Sequence, residues 1–226
     1  MKINSIILLL GSFLCISNTQ AQSGIAAPLM HNNFTVVYDI SINSTKSNAG
    51  IAETYNGGVK TIMMQKGKTR IRLVTLMRIQ SIYFYKQDSS LAKVLITKES
   101  GKKKYKYRLS HADWKQYNAR YDSITYTLLD DSINIAGYSC KKAIITIPAE
   151  GKTITAYYST GLKPLDKYIE PMFAGLPGIV LKYEHEDTKG SITFTASKIS
   201  FEQFNEKLLE APAKGYEQRD YSSFGR

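Results

Sequence analysis

From residue 34 onward the chain alternates apolar and polar side chains with a period of two. Phe34, Val36, Tyr38 and Ile40 share one face, opposite Thr35, Asp39 and Ser41. Ile124, Tyr126 and Leu128 alternate with Thr125 and Thr127. Ile179, Leu181, Tyr183 and His185 alternate with Lys182, Glu184 and Glu186, and Ile192 and Phe194 with Thr193 and Thr195. Successive side chains of a strand leave opposite sides of the backbone, so this pattern predicts strands with one face on a core and one in water. Further strands are expected near 59–66, 69–76, 81–86, 91–97, 103–109, 142–148 and 153–159. Turn residues separate them: Asn56-Gly57-Gly58, Lys66-Gly67-Lys68, Gln87-Asp88-Ser89, Glu99-Ser100-Gly101 and Thr188-Lys189-Gly190. Short strands in this rhythm, without long helices between them, predict a mainly β protein built on a meandering antiparallel sheet.

Helical signal is thin. Ser110 reads as an N-cap with Asp113 in the first turn, which predicts a short helix through Trp114 and Tyr117. The stretch from Leu162 to Phe173 contains Pro164 and Pro171, so a loop with one helical turn is expected there. A brief winding is expected between Glu202 and Glu210, before Pro212. No repeat or linker divides the middle of the chain. One β-rich domain over 34–216 is therefore expected, with 217–226 as a C-terminal tail.

The first residues follow a different pattern. Lys2 precedes an apolar run over 6–16, and Thr19-Gln20-Ala21 offers small residues at the positions used by signal cleavage. Residues 1–21 read as a cleaved signal peptide and 22–33 as a flexible segment. Leu14 stands before Cys15 where a lipid-attachment site wants a small residue, which argues against lipidation. Removing residues 1–21, and Lys2 with them, would leave 205 of the 226 residues and lower the formal charge from +11 to +10. It would also leave Cys140 as the single cysteine, so no internal disulfide is expected and Cys140 reads as a small buried hydrophobe. No other stretch is long and apolar enough to span a bilayer, so no transmembrane helix is expected in the mature chain. A 43% hydrophobic composition excludes a disordered or collagen-like chain, and the 16 tyrosines suit half-buried strand faces.

The positive charge is densest at Lys102, Lys103 and Lys104, followed by Lys106 and Arg108. On a strand Lys104, Lys106 and Arg108 point one way, and Tyr105, Tyr107 and Leu109 the other. A single-stranded nucleic-acid platform needs cations and stacking rings together. Here parity separates them, so a basic exterior is expected and no nucleic-acid partner. Glu184-His185-Glu186-Asp187 supplies two ligands per strand face, too few for zinc, and no metal or cofactor is expected. Asp130 and Asp131 are adjacent and diverge on a strand, which suits a turn better than acid–base work. No nucleophile elbow, phosphate loop or dinucleotide fingerprint is present, and no catalytic residue is assigned.

Three stretches carry a resemblance. Ile135-Ala136-Gly137-Tyr138-Ser139-Cys140-Lys141-Lys142-Ala143, then Thr153-Ile154-Thr155-Ala156-Tyr157-Tyr158-Ser159, precede Phe173-Ala174-Gly175-Leu176-Pro177-Gly178-Ile179-Val180-Leu181. This order resembles the GLPLI family of exported proteins from Bacteroidetes-type bacteria. The motif reads Gly175-Leu176-Pro177-Gly178-Ile179, with Gly in place of the second Leu, and Tyr157-Tyr158 stands where a Trp-Tyr pair is usual. The resemblance covers about a third of the chain and implies export without a reaction. Gly175, Pro177 and Gly178 are expected to shape a backbone corner, with Leu176 as an apolar plug. Phe173, Gly175, Leu176, Pro177 and Gly178 are also the candidate ligand contacts. The strand order and the segment from Leu209 to Tyr216 are similar to exported lipoprotein carriers. That similarity implies a strongly curved, half-barrel sheet with one or two short helices and an apolar concave face.

The leading expectation is an exported, non-enzymatic envelope protein that binds or chaperones a hydrophobic or amphipathic ligand. Its location is periplasmic, secreted or outer-membrane associated. The alternatives are an interaction module for an outer-membrane protein partner, working through the basic face, and an envelope hydrolase with unmarked carboxylates.

Overall fold

The computed structural model describes residues 33–43, 54–87, 90–187 and 190–221. The predicted signal peptide and all but the last residue of the 22–33 segment lie outside the described residues. The first six strands are β1 (Asn33–Asn43), β2 (Val59–Gln65), β3 (Lys68–Val74), β4 (Ile79–Gln87), β5 (Ser90–Ser100) and β6 (Lys103–Leu109). The one α-helix among the described residues, α1 (His111–Tyr117), leads to β7 (Thr125–Ile135), β8 (Tyr138–Ile147) and β9 (Lys152–Ser159). After a long irregular segment come β10 (Ile179–Asp187), β11 (Gly190–Ser200) and the short β12 (Glu217–Arg219).

All twelve strands form one sheet, in the order β12-β6-β5-β4-β3-β2-β1-β11-β10-β9-β8-β7. It is an open, curved antiparallel sheet within a single domain. Curvature brings β7 towards β11, although three strands lie between them. Two meanders, β1 to β6 and β7 to β11, join along the seam where β1 pairs with β11. The expected tail contributes β12, which pairs in parallel with β6 and sets Gln218 opposite Lys106. The Arg219 guanidinium lies 3.8 Å from the Tyr105 ring centre. This short strand covers an edge that would otherwise offer free ladder groups.

Tight two-residue turns hold the register. Lys66 and Gly67, and again Ala136 and Gly137, take positive φ at both central positions, which matches the twist of the flanking strands. Asp130 and Asp131 do not form a turn. They lie within β7 where the register slips between Leu128 and Ser132, a bulge that takes up the extra residues.

Period-two parity sorts the faces as the sequence suggests. Phe34, Val36, Tyr38 and Ile40 are buried on the concave side with Ile145, Ile154, Ala156, Leu181 and Phe194. Leu162, Phe173 and Leu176 of the segment before β10 fill that half. Trp114 of α1 and Ile169 fill the other half, over Phe84, Val94, Ile96, Tyr107 and Leu109. A capping box starts α1: the Ser110 Oγ accepts from the Asp113 N–H at 3.2 Å, and the Asp113 carboxylate accepts from the Ser110 N–H at 2.8 Å. The Ser110 N–H and hydroxyl, both donating to the Asp113 carboxylate, hold it below its ordinary pKa.

On the convex side a strap over residues 205–219 crosses β2 to β6. Arg70 Nη1 donates to the Leu208 carbonyl at 3.0 Å, Tyr85 Oη accepts from the Ala211 N–H at 3.1 Å, and Tyr216 Oη donates to Glu99 at 2.6 Å. Beneath the strap Gln65 is 1% exposed, and neither its amide nitrogen nor its oxygen has a partner among the described residues. An amide buried without hydrogen bonds costs about 1–3 kcal/mol. Gln65→Met, which keeps the shape and removes both polar atoms, is expected to raise unfolding free energy by about 1 kcal/mol in urea. A loss of stability would show instead that solvent bridges the amide.

Candidate functional site

Between the two filled halves of the concave face a groove remains open over the middle strands. Ile71, Leu73, Gln80 and Ile82 of β3 and β4 form its floor. One wall is Trp114, Tyr117 and Asn118 of α1 and its cap, and the other is the run from Ile169 to Phe173. Its volume is about 230 Å³. Floor and walls are largely apolar, because β3 and β4 turn the same parity of residues inward that packs the core on either side.

Four tethers fix the loop wall. Lys86 Nζ reaches Asp166 at 2.5 Å, Trp114 Nε1 donates to the Tyr168 carbonyl at 2.8 Å, and Tyr126 Oη donates to the Met172 carbonyl at 3.2 Å. The fourth, at the deep end of the groove, is an ion pair between Lys60 and Glu170, whose side chains are 8% and 13% exposed. Lys60 faces inward because it shares strand parity with Ile62, and the β1 pairing sets it opposite Tyr38. Its Nζ also donates to Tyr183 Oη at 3.1 Å. The ammonium lies 5.0 Å from the Tyr38 ring centre, 4.9 Å from Tyr183 and 5.9 Å from Phe194, all within reach of cation–π attraction. Tyr183 stacks on Phe194 at 4.5 Å and meets Phe173 edge-on at 5.0 Å. Burial, and then the Glu170 charge, push the hydroxyl pKa values of Tyr38 and Tyr183 well above the ordinary phenol range, so both keep their protons.

His185, next on the same face of β10 after Tyr183, lies edge-on to that ring at 5.6 Å. Burial, then the charges of Lys152 and Lys60, lower its pKa to about 4, with Glu150 opposing and Arg120 adding to the shift. An unfolded histidine titrates near 6.5, so between pH 6.5 and 4 the unfolded chain binds the extra proton. Stability is therefore expected to fall by about 2–3 kcal/mol as pH drops through that window, and to change little for this reason above it. Urea unfolding at pH 7, 5.5 and 4.5 checks this. His185→Gln should flatten the slope, and an unchanged slope would remove His185 as its source.

An adjoining cleft of about 440 Å³ shares Trp114, Asn118, Tyr121 and Pro171 with the groove and is bordered by His111, Lys115, Asp122 and Lys167. Its rim is charged, and among the described residues no ion pair lies in its lining. Among the described residues no three His, Cys, Asp or Glu side chains gather as a metal set. His185 turns to aromatic rings.

The motif residues separate. Phe173 is buried and lines the groove, whereas Leu176 is buried in the core as a plug and Gly175 and Pro177 are exposed. Gly178 borders only a crevice of about 10 Å³, too small for a ligand. Neither Gly175 nor Gly178 has positive φ. Space requires glycine there: a Cβ on Gly178 would lie 2.0 Å from the Ser159 carbonyl oxygen, and one on Gly175 would lie 2.3 Å from the Tyr126 ring. The basic residues divide as well. Lys102, Lys103 and Arg108 are exposed, Lys104 pairs with Glu99 at 3.0 Å, and Lys106 donates to the Pro212 carbonyl of the strap at 2.8 Å. Cys140 is fully buried, and burial pushes its thiol up to about 11, the opposite of an activated nucleophile. Lys60 and Glu170 have no place among the sequence candidates. The signal for Lys60 was a lysine on the apolar parity of its strand. Glu170 left none, since it sits in an irregular loop.

No protein-family profile matches the sequence, and no curated protein matches it. Among solved structures the chain is similar to PNGF-II, at 15% identity and a TM-score of 0.47 in the C2 crystal form, over 83% of this chain and 30% of that one. The P21 form gives 14% identity and a TM-score of 0.46, over 84% and 31%. The chain thus spans under a third of the length of PNGF-II, and a likeness this distant carries no functional argument. Among the described residues no helix is long and apolar enough to cross a membrane.

Proposed function

We propose that this is an exported, non-enzymatic protein of the GLPLI type that binds a small hydrophobic or amphipathic ligand in the concave groove. The observation that carries the reading is the groove itself: apolar floor and walls, a volume of about 230 Å³ and one buried ion pair in its lining. Apolar pockets with a few convergent polar groups are the usual form of a small-molecule site. Beside the floor, the turn that follows Leu73, the residue paired with Lys60, carries Leu76 and Met77, exposed at 84% and 62%. An apolar lip of this kind suits a ligand arriving from an apolar phase.

The test is direct. Full-length protein isolated from an exporting host is examined by native mass spectrometry and then titrated with the neutral fluorescent probe N-phenyl-1-naphthylamine. A bound small molecule, or saturable one-to-one uptake lost in Ile82→Trp, is expected. Empty protein with no saturable uptake would overturn the reading.

A further inference from the structure

We infer that the deep end of the groove selects ligands whose head is polar but carries no net charge, such as a primary amide, over carboxylate or ammonium heads. This rests on the groove being the binding site. The head site is built from a complete ion pair. Lys60 and Glu170 are in contact, nearly withdrawn from solvent, and enclosed by Tyr38, Tyr183 and Phe194. Together they present no net charge to an incoming head.

A carboxylate on the spare Lys60 donor would set two buried carboxylates against one ammonium, and one that displaced Glu170 would strand it between apolar walls. An ammonium on the spare Glu170 acceptor would likewise set two cations against one carboxylate. Either way a charge withdrawn from water is left without a partner of its own, which costs far more than the same exchange in water. An uncharged head leaves the pair intact and uses its spare hydrogen-bonding capacity. An ammonium has three donors, and among the described residues Lys60 directs hydrogen bonds to Glu170 and Tyr183. The Glu170 carboxylate has acceptor positions to spare, and the Tyr183 hydroxyl, accepting from Lys60, retains its own proton to donate. A primary amide matches this set, accepting through its oxygen and donating through its nitrogen. The groove holds the equivalent of about eight water volumes at ~30 Å³ each, which limits the tail to a short chain.

Trp114 is the chain's single tryptophan and stands in the groove wall, so its fluorescence reports occupancy. Full-length protein is titrated with octanamide, octanoate and octylammonium at pH 7 in 0.5 M salt, which screens attraction of the anion to the basic exterior. Calorimetry supplies the affinities. Octanamide is expected to bind at least tenfold tighter than either charged ligand. Lys60→Met with Glu170→Leu, which removes both charges and leaves neither stranded, should cost octanamide about tenfold. Tightest binding of octanoate or octylammonium would overturn the inference. Equal binding of all three would overturn it too, while leaving the groove reading intact. If none binds and the naphthylamine probe is also refused, the groove reading fails first and this inference with it.

Discussion

Gly178→Ala is expected to destabilise the fold by about 3 kcal/mol or more, at the upper end for overpacking, while Gly175→Ala costs about 1 kcal/mol. A Cβ at Gly178 would stand 2.0 Å from the Ser159 oxygen, 2.5 Å from its carbonyl carbon and 2.9 Å from the Thr160 nitrogen. All three are backbone atoms, and Ser159 is held in the ladder opposite Ile179. Relief would require separating β9 from β10 beside the plug. At Gly175 the obstacle is the Tyr126 ring, a side chain on the edge strand that can swing away at the expense of its hydrogen bond to Met172. Urea midpoints of the two variants decide the matter. Equal losses would mean that space at the β9–β10 corner is not what demands glycine.

Lys60→Met is expected to cost about 3–5 kcal/mol, because it leaves the Glu170 carboxylate buried without its partner. Glu170→Leu should cost somewhat less, since the ammonium keeps three aromatic rings worth up to about 2 kcal/mol of cation–π attraction. The double substitution is expected to return within about 1 kcal/mol of the parent, as buried pairs exchanged whole for apolar residues often do. Urea unfolding of the four proteins completes a double-mutant cycle. A double variant as weak as the sum of the singles would show that Lys60 and Glu170 act independently.

Most of the sheet was readable from strand parity. Alternation at 34–40 placed Phe34, Val36, Tyr38 and Ile40 inside, and the basic strand divided as expected, with Tyr107 and Leu109 buried and Lys104 and Arg108 outside. The capping box at Ser110 was also visible, because it needs only residues three apart. Contacts over long separations were not. Nothing near Lys106 announces that Pro212 will cover it, or that residues 217–219 will add a strand beside it. The corner at Gly175 and Gly178 was recognisable as a corner, but its cause lies in Ser159 and Tyr126, which the local sequence does not name. The same limit hid the ion pair of Lys60 and Glu170. Lys60 on an apolar strand face is a local anomaly, whereas Glu170, 110 positions away, becomes its partner only once the plug is seated.

The seam between β1 and β11 has a consequence for how the protein reaches its native state. Within each meander, paired strands are consecutive in sequence, most of them joined by tight turns, and can pair early. Across the seam, Asn43 meets Ser191 and Thr35 meets Ser200, roughly 150 residues apart in sequence. Closing a loop of that length costs about 2–3 kcal/mol more entropy than closing a ten-residue hairpin. The first strand therefore waits for nearly the last. No partial chain emerging from a ribosome or a translocation pore can complete the centre of the sheet, and high contact order makes its closure the slow step of folding.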